Sequence, residues 1–238
     1  MKKNQVGKSI KILCTISLSI VLILLIIFVV LDFQQETVQI TDEIRSGASG
    51  EFIQLKEGKV RYQLRGPDTA ELIIFIHGGG IIGEEIWMKN IPYFESRGYQ
   101  TLSFDLYDRG YSDRVKYENS PELFLSQLTQ LVDALQLRNK RAHIIAMSLG
   151  AIIALDYAAS NSKQIDKLVM IDPVVAGDFR PSMAYRLPLI SDMMMTFYWY
   201  PNAIGIQENE FVDKQQFLPY AERLRYFMNF KGYKRTTR

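Results

Sequence analysis

The chain has 238 residues, of which 47% are hydrophobic and 23% are charged, and this composition excludes a disordered or collagen-like protein. A single cysteine, Cys14, excludes a disulfide scaffold and a cysteine-based zinc site. The 28 basic and 26 acidic side chains leave a net charge of +2, which disfavours a nucleic-acid partner. No pattern in the sequence indicates a metal ion or an organic cofactor.

An uncharged run extends from Ile12 to Leu31 and consists mainly of Ile, Leu and Val. A helix of this length spans about 30 Å, the thickness of the hydrocarbon core of a bilayer. Lysines precede the run and acidic residues follow it, so the positive-inside rule places residues 1–11 in the cytoplasm and the rest of the chain on the extracytoplasmic side. We therefore predict a single transmembrane anchor over residues 12–31. A polar juxtamembrane linker follows over residues 32–50 and ends in the flexible segment Ser46-Gly47-Ala48-Ser49-Gly50.

A cleaved signal peptide is the alternative to an anchor. Its apolar stretch is usually only about 7–15 residues long and is followed by small residues at the cleavage site. The segment Val29-Val30-Leu31-Asp32-Phe33 offers no such site, which favours the anchor.

Beyond residue 50 the pattern predicts strands that alternate with helices. The predicted strands are two segments on either side of Glu57-Gly58 within Phe52–Gln63, then Glu71–Ile76, Gln100–Phe104, Ala142–Met147 and Leu168–Ile171. The predicted helices are Trp87–Arg97, within which Pro92 indicates a start or a kink, a segment that begins at Ser120-Pro121, and Leu149–Ala159. This alternation indicates an α/β fold with a mostly parallel sheet and flanking helices.

Ser148 lies at the junction of a predicted strand and a predicted helix, within Ala146-Met147-Ser148-Leu149-Gly150. A serine on such a tight turn exposes its hydroxyl, and the residues two positions before and after it must be small because the two backbones crowd there. The motif G-x-S-x-G meets this requirement, and Ala146 departs from it by one methyl group. We predict that Ser148 is a nucleophile.

A second motif, His77-Gly78-Gly79-Gly80, follows the strand Glu71–Ile76 directly. Acyl transfer creates an oxyanion, which two converging backbone N–H groups stabilise. The predicted donors are the N–H of Leu149 and that of Gly79, with Gly80 as the second choice for the loop. A simple tight turn or a phosphate-binding loop is the alternative, although the sequence contains neither of the usual phosphate-binding glycine patterns.

These motifs, in this order, resemble the α/β-hydrolase fold superfamily, and in particular its lid-bearing serine esterases and lipases. The segment Asp105–Arg114 lies between the glycine loop and the Ser148 motif. It is similar to the D-x-x-G-x-G-x-S loop of that superfamily, with Asp108 where a glycine is expected. Leu168–Pro173 is similar to the end of the sixth strand. The resemblance covers approximately Phe52–Pro173.

The resemblance implies a hydrolase core over residues 51–177 and a helical cap over residues 178–238. The cap region is rich in methionine and aromatic residues between Phe179 and Trp199. Such residues suit an apolar acyl chain, and they equally suit ordinary core packing.

The superfamily also implies a catalytic acid and a catalytic histidine that both follow the serine in the chain. The two histidines here, His77 and His143, both precede Ser148. His143 lies on the same strand as Ser148 at about 16 Å, so we interpret it as a core residue. His77 is expected to brace the glycine loop, and its use as a base is the less favoured alternative. No general-base histidine is found, and Asp172 is the candidate acid, with a role at the start of a loop as the alternative.

A complete superfamily member continues with two more strands after the cap, and this sequence shows none. We therefore expect an incomplete or truncated hydrolase with at most residual activity, and a hydrophobic sheet edge at Leu168–Ile171. The predicted function is a membrane-anchored serine hydrolase of carboxylic esters, which the superfamily analogy suggests are lipid-derived. The alternatives are a non-catalytic binding protein that keeps the acyl pocket and a protein that serves mainly through its anchor.

Overall fold

The computed structural model describes residues 2–117, 119–174 and 187–237. Its centre is a six-stranded sheet with the strand order β1-β2-β4-β3-β5-β6. The first two pairings, β1 with β2 and β2 with β4, are antiparallel, and the other pairings are parallel. The strands are β1 Glu51–Gln54, β2 Lys59–Arg65, β3 Leu72–Ile76, β4 Gln100–Phe104, β5 Ala142–Met147 and β6 Ile165–Ile171.

Helices cover both faces of the sheet, which confirms the predicted α/β fold. All five residues of β3 and all five of β4 are buried, as expected of central strands in a parallel sheet. The helices are α1 Lys2–Gln34, α2 Asp42–Ser46, α3 Ile91–Glu95, α4 Pro121–Ala134, α5 Leu149–Ser160, α6 Pro188–Met194, α7 Tyr200–Glu208, α8 Lys214–Met228 and α9 Tyr233–Thr237.

The predicted helix Trp87–Arg97 differs from the observed structure. The chain instead forms a 3₁₀ turn over Gly83–Trp87 and then the short helix α3, which carries Pro92 in its first turn. Proline has no N–H to continue a helix from the preceding turn, so a helix starts at this residue more readily than it passes through it. This segment closes one side of the glycine loop.

The N-terminal helix α1 contains one candidate membrane span, Ile10–Gln34, which is long and apolar enough to cross a bilayer by length and composition. The helix therefore continues past Leu31, where the predicted anchor ends. Within the predicted linker the chain forms the short helix α2, which packs against the core. The Arg45 side chain is buried there and donates to Asp113 and to the carbonyl of Tyr111.

Strand β6 lies at the edge of the sheet and pairs, among the described residues, with β5 only. Its side chains Val169, Met170 and Ile171 are 48%, 37% and 43% exposed. The described part of the chain thus has the hydrophobic sheet edge that the sequence predicts. The predicted boundary between core and cap, residues 177 and 178, lies outside the described residues.

Helix α5 approaches β3 more closely than any side chain would allow. A Cβ atom on Gly150 would lie 2.5 Å from the carbonyl oxygen of Ile76 and 2.6 Å from that of His77. Both obstacles are backbone atoms of a buried strand end, so neither can move without displacing the sheet. Gly150 is therefore required by the packing of α5 on β3.

We expect Gly150→Ala to destabilise the fold by about 1–3 kcal/mol or more, because overpacking a rigid contact forces backbone shifts. Gly205→Ala is the matched control, since Gly205 also lies in a helix but has no atom within 4 Å of the added Cβ. That change should stabilise α7 by up to about 1 kcal/mol, because alanine has the higher helix propensity. Guanidinium unfolding of the full chain in mild detergent measures both, and equal effects of the two substitutions would contradict the close approach.

Candidate active site

Ser148 occupies a strained turn between β5 and α5. Its backbone has a φ of 51° and a ψ of −117°, a left-handed conformation that a non-glycine residue adopts only where the surrounding structure imposes it. The N–H of Ser148 donates to the carbonyl of Ile171 on β6 at 3.0 Å. Although Ser148 stands at the N-cap position, its hydroxyl does not cap the helix, so the oxygen stays available above the start of α5.

The glycine loop lies against this turn. A Cβ atom on Gly78 would be 3.1 Å from the Ser148 Cβ and 3.3 Å from the carbonyl oxygen of Met147. Gly78 is thus the residue that lets the loop reach the serine, a role the sequence analysis did not assign to it. A Cβ on Gly79 would meet no atom within 4 Å, so the space in front of Gly79 is open.

His77 stabilises the glycine loop through hydrogen bonds of both its ring nitrogens. The N–H of Leu106 donates to its Nε2 at 2.9 Å, which leaves the proton on Nδ1, and Nδ1 lies 2.6 Å from the carbonyl oxygen of Gly78. The ring is 1% exposed, and its burial lowers the pKa of His77 to about 3. Both nitrogens of a neutral ring are therefore used within the fold, which argues against the alternative of His77 as the base.

The carbonyl groups of the loop point toward the interior. The Gly78 carbonyl accepts from His77, and the Gly79 carbonyl accepts from Nε of the buried Arg109 at 3.4 Å. In a trans peptide the N–H points opposite to the carbonyl, so the N–H groups of Gly79 and Gly80 are directed away from the interior. Within the described part of the chain, neither N–H has a hydrogen-bond acceptor. No local pattern in the sequence points to Arg109, since its contact with the loop is non-local.

Leu149 supplies a third N–H at the same place. It is the first residue of α5, and the first N–H groups of a helix have no carbonyl acceptor within the helix. The positive end of the helix dipole adds to the attraction of a negative oxygen there. The three N–H groups predicted for an oxyanion hole thus flank the Ser148 turn.

Ser148 and the glycine loop open into a cavity of about 810 Å³ beneath the cap. Asp172, which directly follows β6 and has a φ of 45°, lies on the wall of the same cavity. The structure therefore brings Ser148, Gly79, Gly80 and Asp172 together. The cap contributes Trp199, which belongs to the aromatic-rich segment that the sequence analysis described. It also contributes residues that the sequence did not single out, namely Glu210, Phe211, Val212, Asp213 and Tyr220, and the wall also includes Thr237.

The second histidine lies away from this cavity. His143 is near the opposite end of β5, with its Nε2 3.7 Å from a carboxylate oxygen of Glu71, and its ring packs edge-on against Tyr99. Among the described residues on the cavity wall, His77 is the only histidine. The described residues also contain no group of three or more His, Cys, Asp or Glu side chains suited to a metal ion.

The loop after β4 adopts the conformation that its glycine pattern requires. Asp108, which stands where a glycine is expected, has a φ of 66°, a left-handed value that Asp tolerates better than most residues. Its carboxylate accepts from the N–H of Val115 at 2.8 Å and from Arg235 of α9 at 2.9 Å. The substitution of aspartate for glycine therefore keeps the turn and adds a contact to the C-terminal segment.

A family model described as the alpha/beta hydrolase fold matches residues 71–207, which is more than half of the chain. A 2-hydroxy-6-oxononadienedioate/2-hydroxy-6-oxononatrienedioate hydrolase of Paraburkholderia xenovorans is 30% identical over 152 residues, covering 61% of this chain and 50% of the relative. A proline iminopeptidase of Pestalotiopsis fici is 29% identical over 126 residues, covering 50% of this chain and 42% of the relative.

Solved structures share the fold. A meta-cleavage product hydrolase from Pseudomonas fluorescens superposes with a TM-score of 0.62 at 19% identity, covering 79% of this chain and 66% of that one. The chain belongs to the α/β-hydrolase fold family. It spans about half the length of the curated relatives it matches.

The buried neutral state of His77 makes the stability of the protein depend on pH. Because its folded pKa of about 3 lies below the ordinary value of 6.5, acid protonates the unfolded chain first. The contribution of His77 to the free energy of unfolding is thus complete above pH 6.5 and is lost as the pH falls toward 3. Between pH 7 and pH 4 the free energy of unfolding should fall by about 3 kcal/mol. Denaturant unfolding should show this loss, and His77→Gln should lack that part of it.

If His77→Gln does not fold, imidazole NMR of the wild type tests the same point. His143→Gln assigns the two ring signals, and the His77 ring should show a neutral, Nδ1-protonated pattern that does not change between pH 7 and pH 4. A His77 ring that protonates near pH 6 would contradict its buried bracing role.

Proposed function

We propose that this protein is a serine hydrolase that acts on carboxylic esters, with Ser148 as the nucleophile. The observation that carries the proposal is the strained left-handed turn at Ser148, which presents an uncapped hydroxyl beside the open N–H groups of the glycine loop. A fold maintains such strain where the geometry serves a function. In the reaction, Ser148 Oγ bonds to the ester carbonyl carbon and the carbonyl oxygen takes up the negative charge.

The developing oxyanion would be stabilised by the N–H of Leu149 together with that of Gly79 or Gly80. Preorganised donors of this kind contribute about 2.7–4 kcal/mol each to transition-state stabilisation. The proton of Ser148 needs an acceptor, and Asp172 is the described carboxylate that directly follows β6 on the same wall. Without a histidine base, we expect the described residues to give residual catalysis, on the order of 10³–10⁴-fold over water.

The electrostatics of the cavity favour a neutral substrate. Its described wall carries the carboxylates Asp172, Glu210 and Asp213, and it carries no lysine or arginine. A dianion such as the dioates named for the Paraburkholderia relative would meet like charge there. Apolar residues of the cap, Trp199, Phe211 and Val212, line the remainder and suit an apolar acyl chain. We therefore propose an uncharged, lipid-derived ester.

The same proposal includes membrane anchoring through α1. The most apolar 18-residue window of the span Ile10–Gln34 has a mean hydropathy of 3.2, and none of that window is buried against the rest of the protein. An exposed apolar surface of this size has no stable place in water. The lysines before it favour an orientation with the N-terminus in the cytoplasm and the hydrolase domain on the other side.

A fluorophosphonate probe tests the nucleophile. We expect the probe to label the full chain in detergent at Ser148, more slowly than a complete triad enzyme, and Ser148→Ala to abolish the label. Ser96→Ala, which changes an exposed serine on the far side of α3, should leave labelling unchanged. Mass spectrometry of the labelled peptide locates the adduct, and absence of labelling in a folded chain would refute the proposal.

A non-catalytic binding protein is the second candidate, and one observation favours it: the only histidine on the described cavity wall is buried, neutral and fully hydrogen-bonded. This candidate requires the cavity but not the serine. A fluorescent fatty acyl analogue should then bind saturably, with equal affinity for the wild type and Ser148→Ala. Ester hydrolysis by the wild type that is lost in Ser148→Ala would instead support the serine hydrolase.

A further inference from the structure

The end of α1 is attached to the cap. The Asp32 carboxylate accepts from the hydroxyl of Thr196 at 3.0 Å and pairs with the ammonium group of Lys234 on α9. The amide of Gln35 donates to the Thr196 carbonyl at 3.2 Å, and Thr196 itself is buried. These contacts hold the last turn of α1 against the π-helical segment Met195–Trp199, which joins α6 to α7.

The attachment extends into the apolar span. The ring of Phe28 lies 6.1 Å from that of Phe197, measured between ring centroids. Phe28 stands six residues before Gln34, where the span ends. At about 1.5 Å per residue, Phe197 meets α1 about 9 Å inside the polar end of the span. If α1 crosses a bilayer, this part of the cap is therefore level with the boundary between headgroups and acyl chains.

The outer side of the same cap region is apolar and exposed. Leu187, Ile190, Phe197 and Tyr198 are 48%, 46%, 36% and 61% exposed, and Leu189 beside them is 57% exposed. Positions 190, 194, 197 and 198 recur at the spacing of one helix face. Ser191 and Met195, which are four residues apart and lie on another face, are buried against the protein. We define the four residues Leu187, Ile190, Phe197 and Tyr198 as the outer cap face.

We propose that the outer cap face inserts into the surface of the membrane that α1 spans, a proposal that rests on the membrane anchoring proposed above. Interfacial helices bury an apolar face about 5–10 Å into the headgroup boundary, which matches the depth set by the Phe28–Phe197 contact. The face is continuous with α1, so the bilayer that covers the exposed surface of α1 also reaches the outer cap face. No separate protein partner is needed to cover it.

This placement has a consequence for the site. Trp199 belongs to the same segment as Phe197 and Tyr198, and its side chain lines the cavity above Ser148. The roof of the cavity is thus one helical layer away from the proposed lipid surface. An ester dissolved in that membrane would reach the cavity without crossing bulk water.

Lipid-attached quenchers test the proposal. In a Cys14→Ser background, which removes the sole cysteine, single cysteines replace Tyr198, Met88 and Leu22 and carry an environment-sensitive fluorophore. Tyr198 and Met88 are both 61% exposed, but Met88 follows the 3₁₀ turn of the core, so Met88 is the matched control. Leu22 lies within the span and reports on anchoring alone.

The full chain is reconstituted in vesicles of phosphatidylcholine and phosphatidylglycerol that carry nitroxides at a shallow acyl position. We expect loss of fluorescence and a blue shift for the Tyr198→Cys probe, and neither for the Met88→Cys probe. Quenching of the Leu22→Cys probe with no quenching of the Tyr198→Cys probe would overturn the membrane contact of the cap and leave the anchor in place. An unquenched Leu22→Cys probe would instead overturn the anchoring, and with it this inference.

Discussion

The geometry of the candidate site depends on the contact between Gly150 and the carbonyls of Ile76 and His77. Because Gly150 has no side chain, α5 begins directly above the end of β3. That position forces the chain at Ser148 into a left-handed turn and brings it against Gly78. The positions of Ser148 and the glycine loop are therefore set by one close approach of backbones, and a bulkier residue at position 150 would separate them.

A buried charge cluster extends this rigidity to the cap. Arg61 on β2 is 1% exposed and pairs with Glu84 at 2.8 Å and with Asp105 at 3.5 Å. Glu85, next in the 3₁₀ turn, pairs with Arg223 of α8 at 2.7 Å. Removing one partner of such a cluster leaves a buried charge uncompensated, which typically costs about 3–5 kcal/mol. The turn after the glycine loop and the helix above the cavity are thus connected through ionic contacts.

The features predicted correctly from the sequence are those that depend on residues close together in the chain. Buried apolar runs predicted β3, β4, β5 and the second half of β6, and the turn signal at Glu57-Gly58 predicted β1 and β2. Ser148 and the glycine loop were found because a tight turn demands particular residues within five positions. Contacts between distant segments left no periodic signal. Arg109 orients the Gly79 carbonyl from 30 positions away, Arg45 reaches Asp113 across 68, and Lys234 reaches Asp32 across 202. The contacts between the predicted linker and the core were missed for this reason, since polar composition does not reveal that the charges of the linker have partners there.

The charge pattern of the cavity and the position of the cap support the same class of substrate for independent reasons. The carboxylates Asp172, Glu210 and Asp213 on the described wall repel anions, which leaves neutral molecules as the better ligands. The contact between Phe28 and Phe197 places the roof of the cavity near the end of the apolar span. Neutral apolar esters partition into a bilayer, whereas anionic metabolites stay in water. Under the proposed membrane anchoring, a site that repels anions and lies beside α1 would therefore receive its substrate from the lipid phase.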